Sequence, residues 1–438
     1  MQKLHRQFEW IEGSVGALLP DVGVSRNDRR APRKRTPPAV LQIVPALDSG
    51  GAERTTIDIA RALVDEGWRA LVLSEGGRLE GELERTGAEL IRMPIASKNP
   101  LTIFKNAAKF AKLIAERNIS LVHARSRAPA WSAALAAQKA NIPFVTTYHG
   151  VYRAKGPLKR FYNSVMARGD AVIANSEFTA AHIRQIYPEL TKQLVVIPRG
   201  IDLADFDPDA VSPQRVAKLR AAWQVGPKER VLLLPSQITR RKAQALMISA
   251  LALLKECGRL PPDVHVVMAG DSNGHAVYVE ELIHAIASNG LDRVAIISGH
   301  VSDMPAAYLA ADIVVAPSNE PEAFGRVPVE AAFMGRAVIA TDHGGARETV
   351  LNGRSGLLIA PHDAPALADA ISDLLSRTPE RLAEMAKRGR AHVAARYTVE
   401  KMCASTLGVY RKLLTDAAQT TIPRAKLRAT LAENSAVP

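Results

Sequence analysis

The feature that most constrains the fold is a repeated unit in which a short apolar run leads through a turn into an amphipathic helix. The first copy runs from residues 40–44 through Gly50 and Gly51 into a helical stretch over 52–66, and Gly67 ends it. Repeated strand and helix units of this length predict a parallel sheet covered by helices on both faces. The further candidate strands are 70–74, 121–124, 144–148, 171–174, 195–198, 231–234, 265–268, 294–297, 313–316, 337–341 and 356–359.

The strand and helix repeat is interrupted once, at residues 202–209, where aspartates and a proline favour turns. We therefore predict an α/β fold of two doubly wound, Rossmann-like parallel-sheet domains that face each other across a cleft. Their predicted bounds are 39–212 and 213–397. Open sheets of this kind bind ligands beyond the carboxyl ends of their strands, so the chemistry is expected in the loops that follow the strands.

The two ends of the chain do not continue the strand and helix repeat of the middle. Residues 1–38 finish in the basic run Arg33-Lys34-Arg35 and show no sustained period, which indicates a flexible basic arm. Residues 398–415 form a last helical stretch, and residues 416–438 are predicted to be a flexible tail.

Composition narrows the function classes. The 438 residues are 47% hydrophobic and 23% charged, which excludes a mainly disordered, collagen-like or disulfide-built chain. Cys257 and Cys403 lie far apart without a Cys/His cluster, so neither a disulfide framework nor a thiolate metal site is indicated. No membrane-spanning run or secretory signal is recognised, and a cytoplasmic location is expected. A net charge of +13 predicts an anionic partner, with nucleic acid, anionic lipid and sugar nucleotide all open.

The most informative segment follows the candidate strand 313–316. The loop carries Glu322 and Gly325, and a helix is predicted to begin at Pro328. Backbone N–H groups of such a turn and helix start can solvate a diphosphate, while Glu322 and Glu330 can accept hydrogen bonds from sugar or ribose hydroxyls. From spacing alone, Glu322 could equally be a solvated loop acid and Glu330 a partner of the helix dipole.

Glu322, Phe324, Gly325 and Glu330 resemble the E-x-F-G-x-x-x-x-E signature of the family 4 (group 1) retaining glycosyltransferases, which have the GT-B fold. The likeness covers roughly residues 40–415. It implies a metal-independent hexosyltransferase without a cofactor, with a nucleoside diphosphate sugar as donor and a glycan or lipid-linked acceptor. The N-terminal domain would take the acceptor, the C-terminal domain the nucleotide sugar, and the last helix would pack back on the N-terminal domain.

The resemblance also assigns roles to residues. Glu330 is expected to bind the donor ribose, Glu322 to lie by the transferred sugar, and Lys242 to stabilise the leaving diphosphate. His149 matches the family's active-site histidine, although by residue type alone it could be an ordinary loop residue. The predicted catalytic residues are His149, Glu322 and Lys242. The predicted donor-binding residues are Gly50, Gly51, Gln237, Arg240, Arg241, Lys242, Gly270, His300, Val301, Phe324, Gly325, Arg326 and Glu330.

One position departs from the family pattern. The family's G-R-L-x-x-x-K-G segment aligns with residues 236–243, where Lys242 is retained and Gln237 replaces the arginine. A glutamine cannot make the charge-assisted, bidentate phosphate contact of an arginine. Arg240 or Arg241 could compensate, or both could be solvated charges at a helix entry. A weakly active or non-catalytic sugar-nucleotide binder is therefore the first alternative function.

Other patterns carry less weight. Asp205, Asp207 and Asp209 form overlapping D-x-D strings, which bind a metal in another class of glycosyltransferase, but their place at the domain junction favours turn chemistry. No metal site is therefore predicted. The motifs of ATPases, dinucleotide dehydrogenases and serine hydrolases are missing. A basic nucleic-acid-binding protein is the second alternative; because aromatics total 5% and no reading helix is recognised, no nucleic-acid partner is expected.

The sequence predicts a basic and apolar surface on the N-terminal domain, where the acceptor is expected to bind. A predicted helix over 103–114 has an apolar face that includes Phe104, and its lysines lie on another side. It is either a core-facing helix with a solvated lysine face or part of a basic surface that rests on anionic lipid at the inner face of the cytoplasmic membrane. The second interpretation suits lipopolysaccharide or exopolysaccharide synthesis. The basic residues concerned are Lys105, Lys109, Lys112, Arg153, Lys155, Lys159, Arg160 and Arg168.

Overall fold

Each half of the chain is built on one parallel sheet, which confirms the predicted fold class. The computed structural model describes residues 36–48, 50–97, 99–152, 156–190 and 193–433, so the predicted basic arm lies almost wholly outside the described residues. The strands are β1 (Ala39–Ile43), β2 (Arg69–Ser74), β3 (Glu89–Arg92), β4 (Leu121–Ala124), β5 (Phe144–Tyr148), β6 (Ala171–Ala174), β7 (Leu194–Val196), β8 (Arg230–Pro235), β9 (Val264–Ala269), β10 (Ala295–Gly299), β11 (Ile313–Ala316), β12 (Ala337–Thr341) and β13 (Gly356–Ile359).

Helices connect the strands and cover the sheets. The helices are α1 (Gly51–Asp65), α2 (Glu80–Arg85), α3 (Pro100–Arg117), α4 (Arg127–Ala140), α5 (Pro157–Ser164), α6 (Glu177–Ile186), α7 (Pro213–Ala222), α8 (Gln244–Glu256), α9 (Ala276–Ser288), α10 (Met304–Ala310), α11 (Arg326–Phe333), α12 (Ala346–Thr349), α13 (Ala364–Ser376), α14 (Pro379–Arg396) and α15 (Val399–Glu433). Among the described residues, none of these helices combines the length and apolar character needed to cross a membrane.

The strand order positions the functional loops. The N-terminal sheet runs β3-β2-β1-β4-β5-β6-β7 and the C-terminal sheet β10-β9-β8-β11-β12-β13, with every neighbouring pair parallel. In each sheet the chain first extends in one direction and then reverses, between β1 and β4 and between β8 and β11. Ligand crevices form at such switch points, outside the carboxyl ends of the two flanking strands.

Both faces of each sheet are buried, which explains why the strands read as continuous apolar runs rather than alternating ones. In β8, for example, Leu232 and Leu234 pack in one core of the C-terminal domain, whereas Val231 and Leu233 pack in the core on the opposite face. Strand β3 was not predicted, because it lies at the sheet edge, is only half buried, and begins and ends with charged residues.

The junctions between domains coincide with helix starts. Helix α7 begins just after Ser212, whose hydroxyl accepts the Arg215 N–H, at the predicted boundary between 212 and 213. Helix α15 packs against α1 of the N-terminal domain. The predicted end of this helix at 415 is too early, because helical backbone continues to Glu433; residues 434–438 of the predicted tail lie outside the described part.

Candidate active site

The loops after β8 and β11 meet at the switch point of the C-terminal sheet and bring two predicted residues together. Lys242 ends a short 3-10 turn after β8, and Glu322 lies in the loop after β11. Lys242 Nζ donates to Glu322 Oε1 at 2.7 Å, and Ser318 Oγ donates to the same oxygen at 2.5 Å. Two side chains that are 80 positions apart in the sequence thus form one ion pair because their strands are neighbours.

Glu322 carries a negative charge at neutral pH. Burial by itself would raise its pKa, but the charge of Lys242 and the hydrogen bonds from Lys242 and Ser318 lower the pKa below its usual value. Arg241 adds a smaller effect in the same direction. The Asn319 N–H donates to the Arg241 carbonyl at 2.8 Å, which ties the two loops together through their backbones.

Glu330 forms a second charged pair, within helix α11. Arg326 Nε donates to Glu330 Oε1 at 2.9 Å, and the Tyr308 hydroxyl donates to Oε2 at 2.8 Å. Gly325 precedes the helix with a φ of 80°. The prediction that the helix begins at Pro328 is wrong by two residues: Arg326 begins it, and Pro328 still lies in the first turn, where a backbone N–H would have no helical partner.

Packing and backbone contacts hold the Glu322 loop in place. Phe324 is buried, not lining the cleft, and packs edge-on against Tyr397 with ring centroids 5.5 Å apart. Gly344 has a φ of 60°, and a side chain there would collide with the Glu322 carbonyl. The neighbouring Gly345 N–H donates to that carbonyl at 2.8 Å. The loop position therefore depends on contacts with a glycine pair that only the fold brings close.

Some predicted donor-binding residues do not converge on Glu322. Arg240 turns toward α9, where Nη2 donates to Glu281 Oε1 at 2.6 Å. His300 forms a 3.3 Å contact with Asp271 and is largely exposed. The Gln237 side chain is exposed. Two further predicted residues have packing roles. A side chain on Gly270 would collide with the Ser236 carbonyl, and Val301 packs against the C-terminal core.

The N-terminal domain contributes a histidine and an arginine that the sequence prediction did not combine. Arg199 Nη2 lies 2.8 Å from His149 Nδ1. Because an arginine can only donate, Nδ1 accepts and the His149 proton resides on Nε2. Burial, and then the Arg199 charge, lower the pKa of His149 well below its usual value, so the ring is neutral. His149 Nε2 is sealed from solvent and has no hydrogen-bond partner within the described residues.

Arg199 also connects the glycine loop with the opposite domain. Gly50 caps α1 without a side chain. A Cβ on Gly51 would collide with Arg199 Nη1, so the absence of a side chain lets the guanidinium approach the helix start. Burial, and then the charge of Arg326, lower the pKa of Arg199 to about 10. Cationic side chains of both domains therefore lie within electrostatic reach of each other at this helix N-terminus.

Direct hydrogen bonds join the two domains next to the Glu322 loop. Ser176 Oγ, after β6, donates to the carbonyl of Ala323 at 2.5 Å. Glu348 accepts the N–H groups of Glu177 at 2.9 Å and Phe178 at 2.8 Å, and so caps α6 from the other domain. The catalytic candidates of the C-terminal domain thus lie where the two domains meet, as the sequence interpretation requires.

The aspartates at the domain junction have turn geometry. Asp207 Oδ1 accepts the Asp209 N–H at 3.1 Å and begins a short 3-10 helix, Pro208–Ala210. Across the described ranges, no three acidic, histidine or cysteine side chains are grouped as metal ligands.

Arg199 is the functional candidate that sequence reasoning missed. It lies between the candidate strand 195–198 and the turn at 202–209, in a stretch for which no ligand-binding role is predicted. The available signal was its place directly after the last strand of a parallel sheet, where ligand-binding loops emerge.

Comparison with known proteins identifies the family. Residues 49–205 match the model of Glycosyltransferase Family 4, and residues 216–392 match Glycosyl transferases group 1. A glycosyltransferase structure from Rickettsia africae is 36% identical with a TM-score of 0.80, covering 86% of this chain and 99% of its own. HepE of Anabaena in complex with UDP and glucose is 27% identical with a TM-score of 0.74, covering 85% of this chain and 99% of its own.

Curated relatives are matched over part of their length. The D-inositol 3-phosphate glycosyltransferase of Segniliparus rotundus is 28% identical over 67% of this chain, and the chain spans 66% of that relative. The lipopolysaccharide core biosynthesis mannosyltransferase LpsB of Rhizobium meliloti is 31% identical over 57% of this chain and 68% of its own length. The chain therefore belongs to the family 4, group 1 glycosyltransferases and has their two-domain GT-B fold.

Proposed function

We propose that the chain transfers a hexose-like sugar from a nucleoside diphosphate sugar to an acceptor hydroxyl, with retention at the anomeric carbon. The observation that carries this proposal is the Lys242–Glu322 ion pair, which lies at the sheet switch point beside the contact between the two domains. The complexes of HepE with UDP and with UDP-glucose support a nucleotide sugar as the donor.

Positive charge on this chain would stabilise the leaving diphosphate. Sugar transfer develops negative charge on that group, and preorganised cations and N–H groups lower the barrier most where water is excluded. Lys242, Arg326 and Arg199 supply such charge from both sides of the cleft, together with the N–H groups that begin α11. This arrangement supports a metal-independent reaction without a cofactor.

Uncharged and anionic groups would position the sugar. The neutral His149 has its Nε2–H free within the described residues, so it can donate a hydrogen bond to a hydroxyl of the donor sugar. Glu322, already ionised, would accept hydrogen bonds from the transferred sugar, and Glu330 from the ribose. Arg199 also supplies a charge that Gln237 lacks, which favours an active enzyme over a weakly active or non-catalytic binder.

The test is turnover with a panel of UDP, GDP and ADP sugars, after a thermal-shift screen has found the nucleotide that raises the melting temperature. We expect Glu322→Ala to lower kcat by about 100-fold or more, and Glu330→Ala to weaken donor binding. Asp369→Ala, which removes an exposed acid paired with Arg259, is the matched control and should retain wild-type kinetics. Near-normal kinetics in both site variants would remove the assignment, and nucleotide binding without turnover would favour the non-catalytic alternative.

A surface of the N-terminal domain supports a lipid-linked acceptor. Leu101 and Phe104 on α3 and Leu158 and Phe161 on α5 are exposed apolar side chains. Trp131 of α4 stacks on Phe161 at 5.2 Å, and the adjacent Ser132 contacts α3, so the two helices flank one stretch of α4. The core-facing interpretation of α3 holds for Ala107, Phe110 and Ile114 but not for Phe104, which is 64% exposed.

Basic side chains lie on the same surface as these apolar residues. Lys105, Lys109, Lys112, Lys159 and Arg160 are exposed on the same two helices. The predicted Arg153 and Lys155 lie outside the described residues, and Arg168 lies 6.0 Å from the Trp131 ring. Apolar side chains beside lysines match the interface of an anionic bilayer, and we propose that this surface rests on one during lipopolysaccharide or exopolysaccharide synthesis, as the name of LpsB suggests for that relative.

Cosedimentation with liposomes tests the membrane proposal. We expect binding to vesicles that contain phosphatidylglycerol at low salt, with little binding to neutral phosphatidylcholine. The double variant Phe104→Ser and Leu158→Ser should lose most of this binding. Val277→Ser removes a similarly exposed apolar side chain from the C-terminal domain and should bind like the wild type. Negligible binding of the wild-type protein to anionic vesicles would contradict the proposal.

A further inference from the structure

A cavity of about 360 Å³ lies in the N-terminal domain, at the other switch point of the molecule. It opens where β4 ends and α4 begins, on the reversal side of β1 and β4. The candidate donor site uses the corresponding place in the C-terminal sheet, so this cavity is a second crevice of the same topological kind. Its lining residues are Ser126, Arg127, Ala128, Lys159, Tyr162 and Asn163.

Two buried donors in the lining have no acceptor within the described residues. Asn163 is 0% exposed; its Oδ1 accepts from Arg127 Nη1 at 2.9 Å, while its Nδ2 has no partner. The buried Tyr162 hydroxyl also has no partner within the described chain. A buried donor left unsatisfied costs about 1–3 kcal/mol, so such groups normally indicate a missing acceptor.

Helix α4 points its N-terminus into the same cavity. Ser126 precedes the helix but makes no side-chain capping bond, so the N–H groups of Arg127 and Ala128 are not capped by a side chain. The partial positive charge at the start of this 14-residue helix adds to the charges of Arg127 and Lys159. All ionisable lining groups other than the tyrosine are cationic, and none is acidic.

The cavity communicates with the candidate catalytic histidine. The Arg127 guanidinium carbon lies 4.2 Å from the centroid of the Tyr152 ring. Tyr152 hydrogen bonds to the His149 backbone. A group bound beside Arg127 would therefore lie one aromatic ring away from His149, on the N-terminal side of the cleft.

We propose that this cavity binds a phosphate or carboxylate carried by the acceptor. The inference rests on the proposed function and deepens it: the acceptor is an anionic one, such as a phosphorylated sugar, a sugar acid or a glycan with a phosphate near the reacting hydroxyl. An oxyanion satisfies the Asn163 amide, the Tyr162 hydroxyl and the helix N–H groups at once, and it neutralises Arg127 and Lys159. A neutral acceptor would offer neither cation an opposite charge.

The test measures binding of simple sugars to the protein saturated with the nucleotide that it binds among UDP, GDP and ADP, so that the donor phosphate site is filled. The probes are glucose 6-phosphate, glucuronate and uncharged glucose. Calorimetry or NMR titration measures the affinity of each probe. We expect at least one charged sugar to bind about tenfold or more tightly than glucose. A preference for the phosphate or for the carboxylate identifies which oxyanion the cavity takes.

Two variants connect that preference with the cavity. Lys159→Gln should weaken binding of the charged sugar about fivefold, and Asn163→Asp, which preserves size but repels an anion, should weaken it more. Lys139→Gln at the opposite end of α4 is the matched control and should bind like the wild type. Melting temperatures identify any variant that fails to fold, and Lys159 is exposed, so its substitution keeps the test decisive.

Failure of the anionic-acceptor proposal can be distinguished from failure of the proposed function. Equal binding of glucose and both charged sugars, or equal binding by Lys159→Gln and Lys139→Gln, overturns the anionic-acceptor site even if the protein binds a nucleotide and transfers sugar. Absence of nucleotide binding and of transfer, in contrast, overturns the proposed function itself.

Discussion

Arg199 is central to the charge balance of the candidate site. Its guanidinium donates a hydrogen bond to the neutral His149. The buried Nε of Arg199 has no hydrogen-bond partner within the described residues. Burial and the charge of Arg326 lower its pKa to about 10, which means that its charged form is less favourable here than in water. A diphosphate placed between the two arginines would offset that cost, so this part of the cleft suits an anionic ligand.

Arg199→Gln is therefore expected to reduce affinity for a nucleoside diphosphate by about 10-fold or more, because charge-assisted bonds contribute about 1.5–3 kcal/mol. Affinity for the corresponding nucleoside, which lacks phosphate, should change little. Calorimetry with UDP and uridine measures both. Arg377→Gln removes an arginine paired with Asp373 on α13 and is the control. If uridine and UDP lose affinity equally, Arg199 does not act on the phosphates.

Asp58 on α1 is a second unusual residue at the domain contact. Burial raises its pKa to about 6, although Arg54, Arg61 and Arg326 oppose the rise. An aspartate whose pKa is higher in the folded chain binds protons preferentially when folded, so its contribution to stability falls as pH increases from about 4 to about 6. Above that range the folded protein carries the cost of a half-buried charge.

Asp58→Asn should accordingly stabilise the protein at pH 8, by about 1–2 kcal/mol after allowance for partial exposure, and should have little effect near pH 4. Urea unfolding at several pH values measures the free energy of unfolding in both proteins. A gain that is independent of pH, or a loss at pH 8, would show that the ionised carboxylate is compensated by its arginines.

At the scale of elements, α15 is attached to the N-terminal domain through a buried polar contact. The Tyr410 hydroxyl lies 2.5 Å from His123 Nδ1, and Thr147 Oγ1 lies 2.7 Å from Nε2. Burial lowers the pKa of His123 well below its usual value, so the ring is neutral and needs both partners. The last helix thus completes a polar core in the domain formed by the first half of the chain.

Tyr410→Phe should destabilise the protein by about 1–3 kcal/mol, because it leaves a buried imidazole nitrogen unsatisfied without altering the ring packing. Thermal and urea unfolding measure this loss. Thr415→Ala, on the exposed part of the same helix, is the control and should cost much less. An unchanged free energy of unfolding in Tyr410→Phe would indicate that a water molecule replaces the hydroxyl.

At the scale of the whole molecule, two contacts join the domains at the mouth of the cleft. Glu348 caps α6 across the domain boundary, and Ser176 donates to the Ala323 carbonyl beside Glu322. A carboxylate at a helix N-terminus contributes about 0.3–1 kcal/mol at exposed sites. We predict that a contribution of this size shifts a balance between closed and open cleft without fixing either one.

Glu348→Ala should shift this balance toward the open form. We expect a larger radius of gyration in solution scattering without nucleotide, and a rise in donor KM of about two- to fivefold, since a loss of up to about 1 kcal/mol corresponds to that range. Glu384→Ala, which removes an exposed acid paired with Arg388 on α14, is the control. If scattering and KM both match the wild type, the cap does not contribute to closure.

The limits of sequence prediction differ between parts of the molecule. The repeated apolar runs identify most strands because buried parallel strands have no polar face. The edge strand β3 is missed for the opposite reason. Glu322 and Glu330 are predicted from one motif with fixed spacing and Lys242 from a second motif. The structure pairs Lys242 with Glu322 and Arg326 with Glu330.

Arg240 and Arg199 show what spacing cannot decide. Arg240 lies two residues from Lys242, yet its side chain turns to Glu281 because the 3-10 turn directs neighbouring side chains to different sides. Arg199 lies 50 positions from His149, and they meet because β5 and the end of the sheet bring their loops to the same edge.

The amino-acid order by itself determined the two parallel sheets, the place of the loops at their carboxyl ends and the family, because local periodicity and short motifs encode these directly. The tertiary structure alone decided which charges meet: Lys242 with Glu322, Arg199 with His149, and Glu348 with the start of α6. The reason is that electrostatic energy and hydrogen bonding depend on distances of a few ångströms between groups far apart in the chain, and these distances are set by the packing of whole sheets and helices.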